Sequence, residues 1–125
     1  MSLEFSTEVL PDHIQIKLIG EYTFGDLMKN VEKMKDAADA ADRKLMFIDA
    51  RSIEGRMTES EKFFVGSHIA EVFGIRLKVV VLAPDGHVTK LGEMAAVNRG
   101  ARFLATESEA EALEWLLPPR AQTYP

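Results

Sequence analysis

Apolar positions along the chain change their spacing several times, and each change marks a new element. Leu3, Phe5, Thr7 and Val9 alternate with polar neighbours, and Ile14, Ile16 and Leu18 do the same after Pro11-Asp12. That two-residue period predicts two half-buried strands, and the short turn between them predicts an antiparallel pair at a sheet edge. From Phe24 the period lengthens: Leu27, Met28, Val31, Met34, Ala38 and Ala41 share one helical stripe, with Thr23 standing where an N-cap belongs. Leu45 to Ile48 is a continuous apolar run, which suits a strand covered on both faces. It ends at Asp49 and leads into a polar loop.

A second helix is predicted from about Glu59 to Phe73. It opens with the capping-box pattern Thr58-x-x-Glu61, turns Val65, Ile69 and Val72 inward, and stops at Gly74. Lys78 to Ala83 is again continuous and β-branched, and Pro84-Asp85-Gly86 closes it. Val88, Leu91, Met94 and Ala95 form a third helical stripe ending near Gly100. A short strand from Ala101 to Leu104 follows. A fourth helix is predicted to start at Thr106-x-x-Glu109, pack Ala110, Leu113 and Leu117, and stop at Pro118-Pro119. The order β-β-α-β-α-β-α-β-α predicts an α/β fold with a mixed, mostly parallel sheet of about five strands and four helices.

Composition narrows what such a domain does. A chain of 125 residues with 46% hydrophobic content is the size of one domain, so residues 1–119 are read as a single unit and 120–125 as a frayed tail. No apolar run is long enough to span a bilayer and no signal segment is evident at the start, which predicts a cytoplasmic protein without membrane insertion. The absence of cysteine excludes disulfides, thiolate chemistry and cysteine-based zinc sites. A net charge of −5 opposes general attraction to nucleic acid. The three histidines, His13, His68 and His87, fall on different elements without ligand spacing, so no metal site is expected. Neither Gly-x-Gly-x-x-Gly nor Gly-Lys-Ser/Thr occurs, and no cofactor is expected.

Candidate chemistry gathers in two places. The loops beyond the carboxyl ends of the parallel strands should collect Tyr22, Asp49, Asp85 and His87, an edge where helix N-termini also point and where an apolar or anionic small ligand would sit. Asp49 beside His87 would be the start of a general base, but no nucleophile accompanies it, so catalysis is the weakest reading. The other place is the second helix with the loop before it: Arg51, Arg56, Thr58, Ser60, Phe64 and His68. Phe63 and Phe64 point about 100° apart on a helix and cannot both occupy one inward stripe. Either both rings bury against neighbouring helices, or one of them anchors a protein partner or a second copy of this chain.

Three stretches together resemble the STAS family, the domain shared by sulfate transporters and bacterial anti-sigma factor antagonists. They are Leu45-Met46-Phe47-Ile48-Asp49-Ala50-Arg51 with Ile53, Met57-Thr58-Glu59-Ser60, and Ala101 to Glu107 running on to Ala112-Leu113. The ending Phe103 to Leu116 looks closer still to the SpoIIAA-like branch, also described as STAS/SEC14-like. The resemblance implies a non-enzymatic, regulatory protein-binding module. In the antagonists a serine at the start of the second helix is phosphorylated by a partner kinase; the matching position here is Thr58, and the resemblance implies phosphorylation at Thr58 or at the nearby Ser60. The family's glycine and small-residue pair are replaced by Met57-Thr58-Glu59-Ser60-Glu61, whose two carboxylates flank the hydroxyls.

Overall fold

The computed structural model describes residues 2–88 and 91–117. The expected helix stop at Pro118-Pro119 and the tail 120–125 lie outside the described residues. Five strands form one sheet in the consecutive order β1 (Glu4–Val9), β2 (Ile14–Glu21), β3 (Leu45–Glu54), β4 (Lys78–Leu82) and β5 (Arg102–Thr106). β1 is antiparallel to β2, and the other neighbours run parallel. Four helices are described: α1 (Phe24–Ala41), α2 (Glu59–Phe73), α3 (Leu91–Asn98) and α4 (Glu109–Leu116).

The two faces of the sheet are covered unequally, which explains the two hydrophobic patterns. Leu27, Val31 and Met34 of α1, Val65, Ile69 and Phe73 of α2, and Ala96 of α3 pack on one face, against Ile14, Ile16, Met46, Ile48, Val79 and Phe103. On the other face, among the described residues, α4 alone lies, its Ala112 and Leu116 meeting Phe47, Val80 and Leu82. β3 and β4 are therefore buried on both sides and read as continuous apolar runs. β2 is open on one side and alternates buried and exposed along its length. Asn30 ties α1 to the start of the edge hairpin by donating from Nδ2 to the Leu3 carbonyl at 3.1 Å.

Five local expectations are corrected. β3 does not end at Asp49 but continues to Glu54, because the eight-residue β2 still offers a partner: Ile19, Gly20 and Glu21 pair with Ser52, Ile53 and Glu54. The register shifts by one residue between Lys17 and Ile19, a β-bulge that places Ala50 and Arg51 opposite Leu18. Thr106 does not cap α4; it is buried in β5 and its hydroxyl accepts from the Ser108 amide at 3.1 Å. Ser108 is the cap instead, accepting from the Glu111 amide at 3.2 Å. That later start rotates the inward stripe, so Ala112 and Leu116 are buried while Ala110 is exposed and Leu113 and Leu117 are half-buried. On α3 the expected stripe is displaced: Ala95 and Ala96 are buried and Met94 is exposed, because α3 packs flat against α2 through small side chains. Leu91, named in that stripe, is described only for its backbone. On α2 the inward line runs Val65, Ile69, Phe73, with Val72 half-buried.

Candidate functional site: the second helix and the cavity beneath it

Because the strand order is consecutive and α1, α2 and α3 share one face, no reversal of strand order opens a crevice at the carboxyl edge. Of the residues expected to meet there, Tyr22 and His87 border one cavity, whereas Asp49 and Asp85 stand apart from it. Asp49 lies on the α4 side of β3, with the same parity as Phe47, and its carboxylate is taken by Arg51. Oδ1 accepts from the Arg51 amide and Nε, both at 3.0 Å, and Oδ2 accepts from Nη2 at 2.9 Å. These hydrogen bonds hold the Asp49 carboxyl below the usual carboxylate range against the opposing effect of burial. Arg51 also approaches Glu109 at the start of α4, at 3.6 Å. His87, by contrast, lies among the residues between the sheet and α1, α2 and α3. The Asp49–His87 pairing is thus not formed, and Arg51 stands across the sheet from Thr58 instead of beside it.

The loop from β3 into α2 is short. Gly55, at φ +98°, turns the chain out of the strand in a conformation that side chains with a Cβ rarely adopt. Thr58 then caps α2: its hydroxyl accepts from the Glu61 amide at 3.1 Å while Glu61 Oε1 accepts from the Thr58 amide at 2.9 Å. Thr58 and Ser60 are both exposed. Arg56 reaches the turn after β4, donating to the Gly86 carbonyl at 3.3 Å, and Lys62 donates to the His87 carbonyl at 3.1 Å. Burial and these two cations, in that order, push the His87 pKa down. Asp85 is exposed at the tip of the same turn.

The aromatic pair on α2 is presented to solvent. Phe64 is 55% exposed and Phe63 37%, their rings in edge-to-face contact at 5.6 Å. Arg99, just beyond α3, stacks over Phe63 at 5.1 Å. Met94 and Val97 on α3 are exposed as well, at 56% and 47%, so two packed helices each offer apolar side chains. Single exposed apolar residues are ordinary, but several on adjoining elements mark a contact surface. Met94 and Val97 escaped the sequence reading because their spacing fits an inward stripe as well as an outward one. His68 does not join them: its Nε2 turns toward Glu32 of α1 at 3.4 Å, and the side chain is largely buried.

Beneath α2 lies a cavity of about 150 Å³. Leu27, Val31, Ile48, Val65, Ile69 and Phe103 line its interior, while Arg56, Lys62 and His87 stand at its polar margin. Tyr22 also borders it. The Tyr22 hydroxyl is buried near the Glu61 carboxylate but makes no hydrogen bond of good geometry, and burial first, then that carboxylate, raises its pKa. The cavity was invisible in the sequence because its lining residues look like ordinary core.

The element order, the consecutive sheet and its antiparallel first strand define a SpoIIAA-like α/β domain, the fold also called STAS. Solved structures show the same architecture. An anti-sigma factor antagonist from Mycobacterium paratuberculosis superposes with a TM-score of 0.61 at 15% identity, over 92% of this chain and 94% of that one. The unphosphorylated anti-sigma factor antagonist SpoIIAA gives 0.55 at 18% identity, over 89% and 94%. An uncharacterized DUF3478 protein with a SpoIIAA-like fold from Shewanella loihica PV-4 gives 0.55 at 17% identity, over 93% and 94%. No protein-family model and no curated protein matches the sequence. At these identities the likeness is one of fold. Among the described residues, no helix is long and apolar enough to cross a membrane.

Proposed function

We propose that this domain is a non-enzymatic interaction module that binds a protein partner through α2 and the loop before it. The observation that carries the reading is the exposure of Phe64 at 55%, beside Phe63. A large aromatic left in water on a rigid, capped helix is preorganised to bury on contact. Met94 and Val97 of the adjoining α3 are exposed as well, and Arg56, Thr58 and Ser60 lie in the loop before α2 and its first turn. The structural neighbours described as anti-sigma factor antagonists support a regulatory setting. The capping box accounts for Thr58 without modification; a phosphate on Thr58 or Ser60 would add charge beside Glu59 and Glu61 at the edge of the same surface.

The test is affinity capture from native lysate with the wild-type chain, Phe64→Ala and Val9→Ala. Val9 is also exposed but sits on β1, away from α2. Burying a phenylalanine is worth about 1.5–3 kcal/mol, so Phe64→Ala should weaken a specific partner about ten- to a hundredfold while Val9→Ala leaves it unchanged. Equal loss with both variants, or equal retention, removes α2 as the binding face. Sedimentation equilibrium of the purified chain distinguishes a second copy from a different protein as the partner.

A further inference from the structure

We infer that the cavity under α2 is a binding site for a single-chain aliphatic monocarboxylate, its tail among the apolar lining and its carboxylate at Arg56 and Lys62. The interior fixes the tail. Leu27 and Val31 of α1, Val65 and Ile69 of α2, Ile48 of β3 and Phe103 of β5 present carbon to it. A cavity of about 150 Å³ matches an apolar cavity of similar size that stays dry and takes benzene, so it accommodates a chain of about six to eight carbons. Two-chain lipids are too large for it.

The margin fixes the head. Arg56 is exposed, borders the cavity and donates to the Gly86 carbonyl; Lys62 donates to the His87 carbonyl and lies 3.6 Å from Glu59, with its side chain only 12% exposed. Glu93 is the acidic residue among those lining the cavity, and its Oε1 is occupied by the Ala105 amide at 2.8 Å. Arg56 and Lys62 thus bring two cations to the margin, Lys62 shared with Glu59, and the arginine can bind a carboxylate through two oxygens at once. This site goes beyond the protein-binding surface: it lies on the inner side of α2, whereas Phe63 and Phe64 lie on the outer side.

Titration calorimetry of the full chain with butanoate, hexanoate, octanoate, dodecanoate and octan-1-ol tests it. Affinity for the acids should rise about fourfold per methylene up to about eight carbons and then level off. Octan-1-ol should bind about tenfold more weakly than octanoate, and Arg56→Gln should remove that difference without changing octan-1-ol. Ala105→Leu, which fills the cavity from β5, should abolish binding of every member. Where that variant unfolds, amide chemical-shift changes in the wild-type chain take its place: octanoate should shift Ile48, Val65 and Phe103. No heat and no shift with any acid, equal binding of acid and alcohol, or shifts confined to Phe63 and Phe64 each overturn the assignment. Loss of partner capture on Phe64→Ala is independent of all these results.

Discussion

Replacing Thr58 by alanine removes both halves of the α2 capping box and separates a structural role for this position from a regulatory one. Alanine cannot accept from the Glu61 amide, now bonded at 3.1 Å, and without that anchor the Glu61 side chain loses its reason to return to the residue 58 amide at 2.9 Å. Both bonds are solvent-exposed, so water replaces them in part. The loss should be about 1 kcal/mol, the middle of the range for such caps. For a domain of this length that lowers Tm by about 4 °C and the urea midpoint by about 0.5 M. Thr58→Ser and Thr58→Asp keep an acceptor oxygen in capping position, and aspartate adds a favourable charge at the helix N-terminus. Both should stay within about 0.5 kcal/mol of wild type. Urea titrations followed by circular dichroism measure all three, and Thr58→Ala combined with Glu61→Ala should fall short of the sum of the single losses, because the two side chains form one reciprocal unit. Additive losses, or Thr58→Asp as unstable as Thr58→Ala, refute the capping argument.

Three further outcomes follow from named contacts. Gly20→Ala should destabilise by more than about 2 kcal/mol in the same assay, because a Cβ there would lie 2.4 Å from the Ser2 carbonyl oxygen and the residue sits at φ +118°; Gly55→Ala, with nothing nearer than 3.7 Å, should lose only the strain of its positive φ. The Asp49 carboxyl is held below its ordinary range by Arg51, so its contribution is fully present above about pH 4 and fades as pH falls through the lowered value; Asp49→Asn should flatten the stability profile in that acid window and nowhere else. Burial, then Arg56 and Lys62, lower the His87 pKa, so its NMR titration midpoint should fall below that of a free imidazole, and Arg56→Gln should move it back upward.

Much of the fold is readable in the chain because the local signals agree with the tertiary demands. Alternation in β2 against continuity in β3 and β4 reports how many faces each strand buries, and Thr58-x-x-Glu61 places the start of α2 to the residue. Errors arise where a local pattern has two meanings. Ala50 to Glu54 looks like a polar loop because one face of the extended β3 meets solvent, and only the length of β2 reveals the pairing. Thr106-x-x-Glu109 and Ser108-x-x-Glu111 are both possible caps, and β5 claims Thr106 first. For the site, the perpendicular directions of Phe63 and Phe64 correctly single out an aromatic at risk of exposure. Arg51 is drawn away by Asp49, two residues back on the same strand, and His68 by Glu32 on α1, a partner that spacing alone does not announce. The cavity depends on three helices failing to close over the sheet, which no single stretch encodes.

The claim that the outer face of α2 binds and does not merely pack is tested most directly by measuring affinity and stability on one variant. With the captured partner purified, Phe64→Ala should raise Kd about ten- to a hundredfold while its unfolding free energy stays within about 0.5 kcal/mol of wild type; the buried Phe73→Ala should instead cost about 3–5 kcal/mol. An unchanged Kd for Phe64→Ala, or a loss of stability comparable to that of Phe73→Ala, contradicts the account.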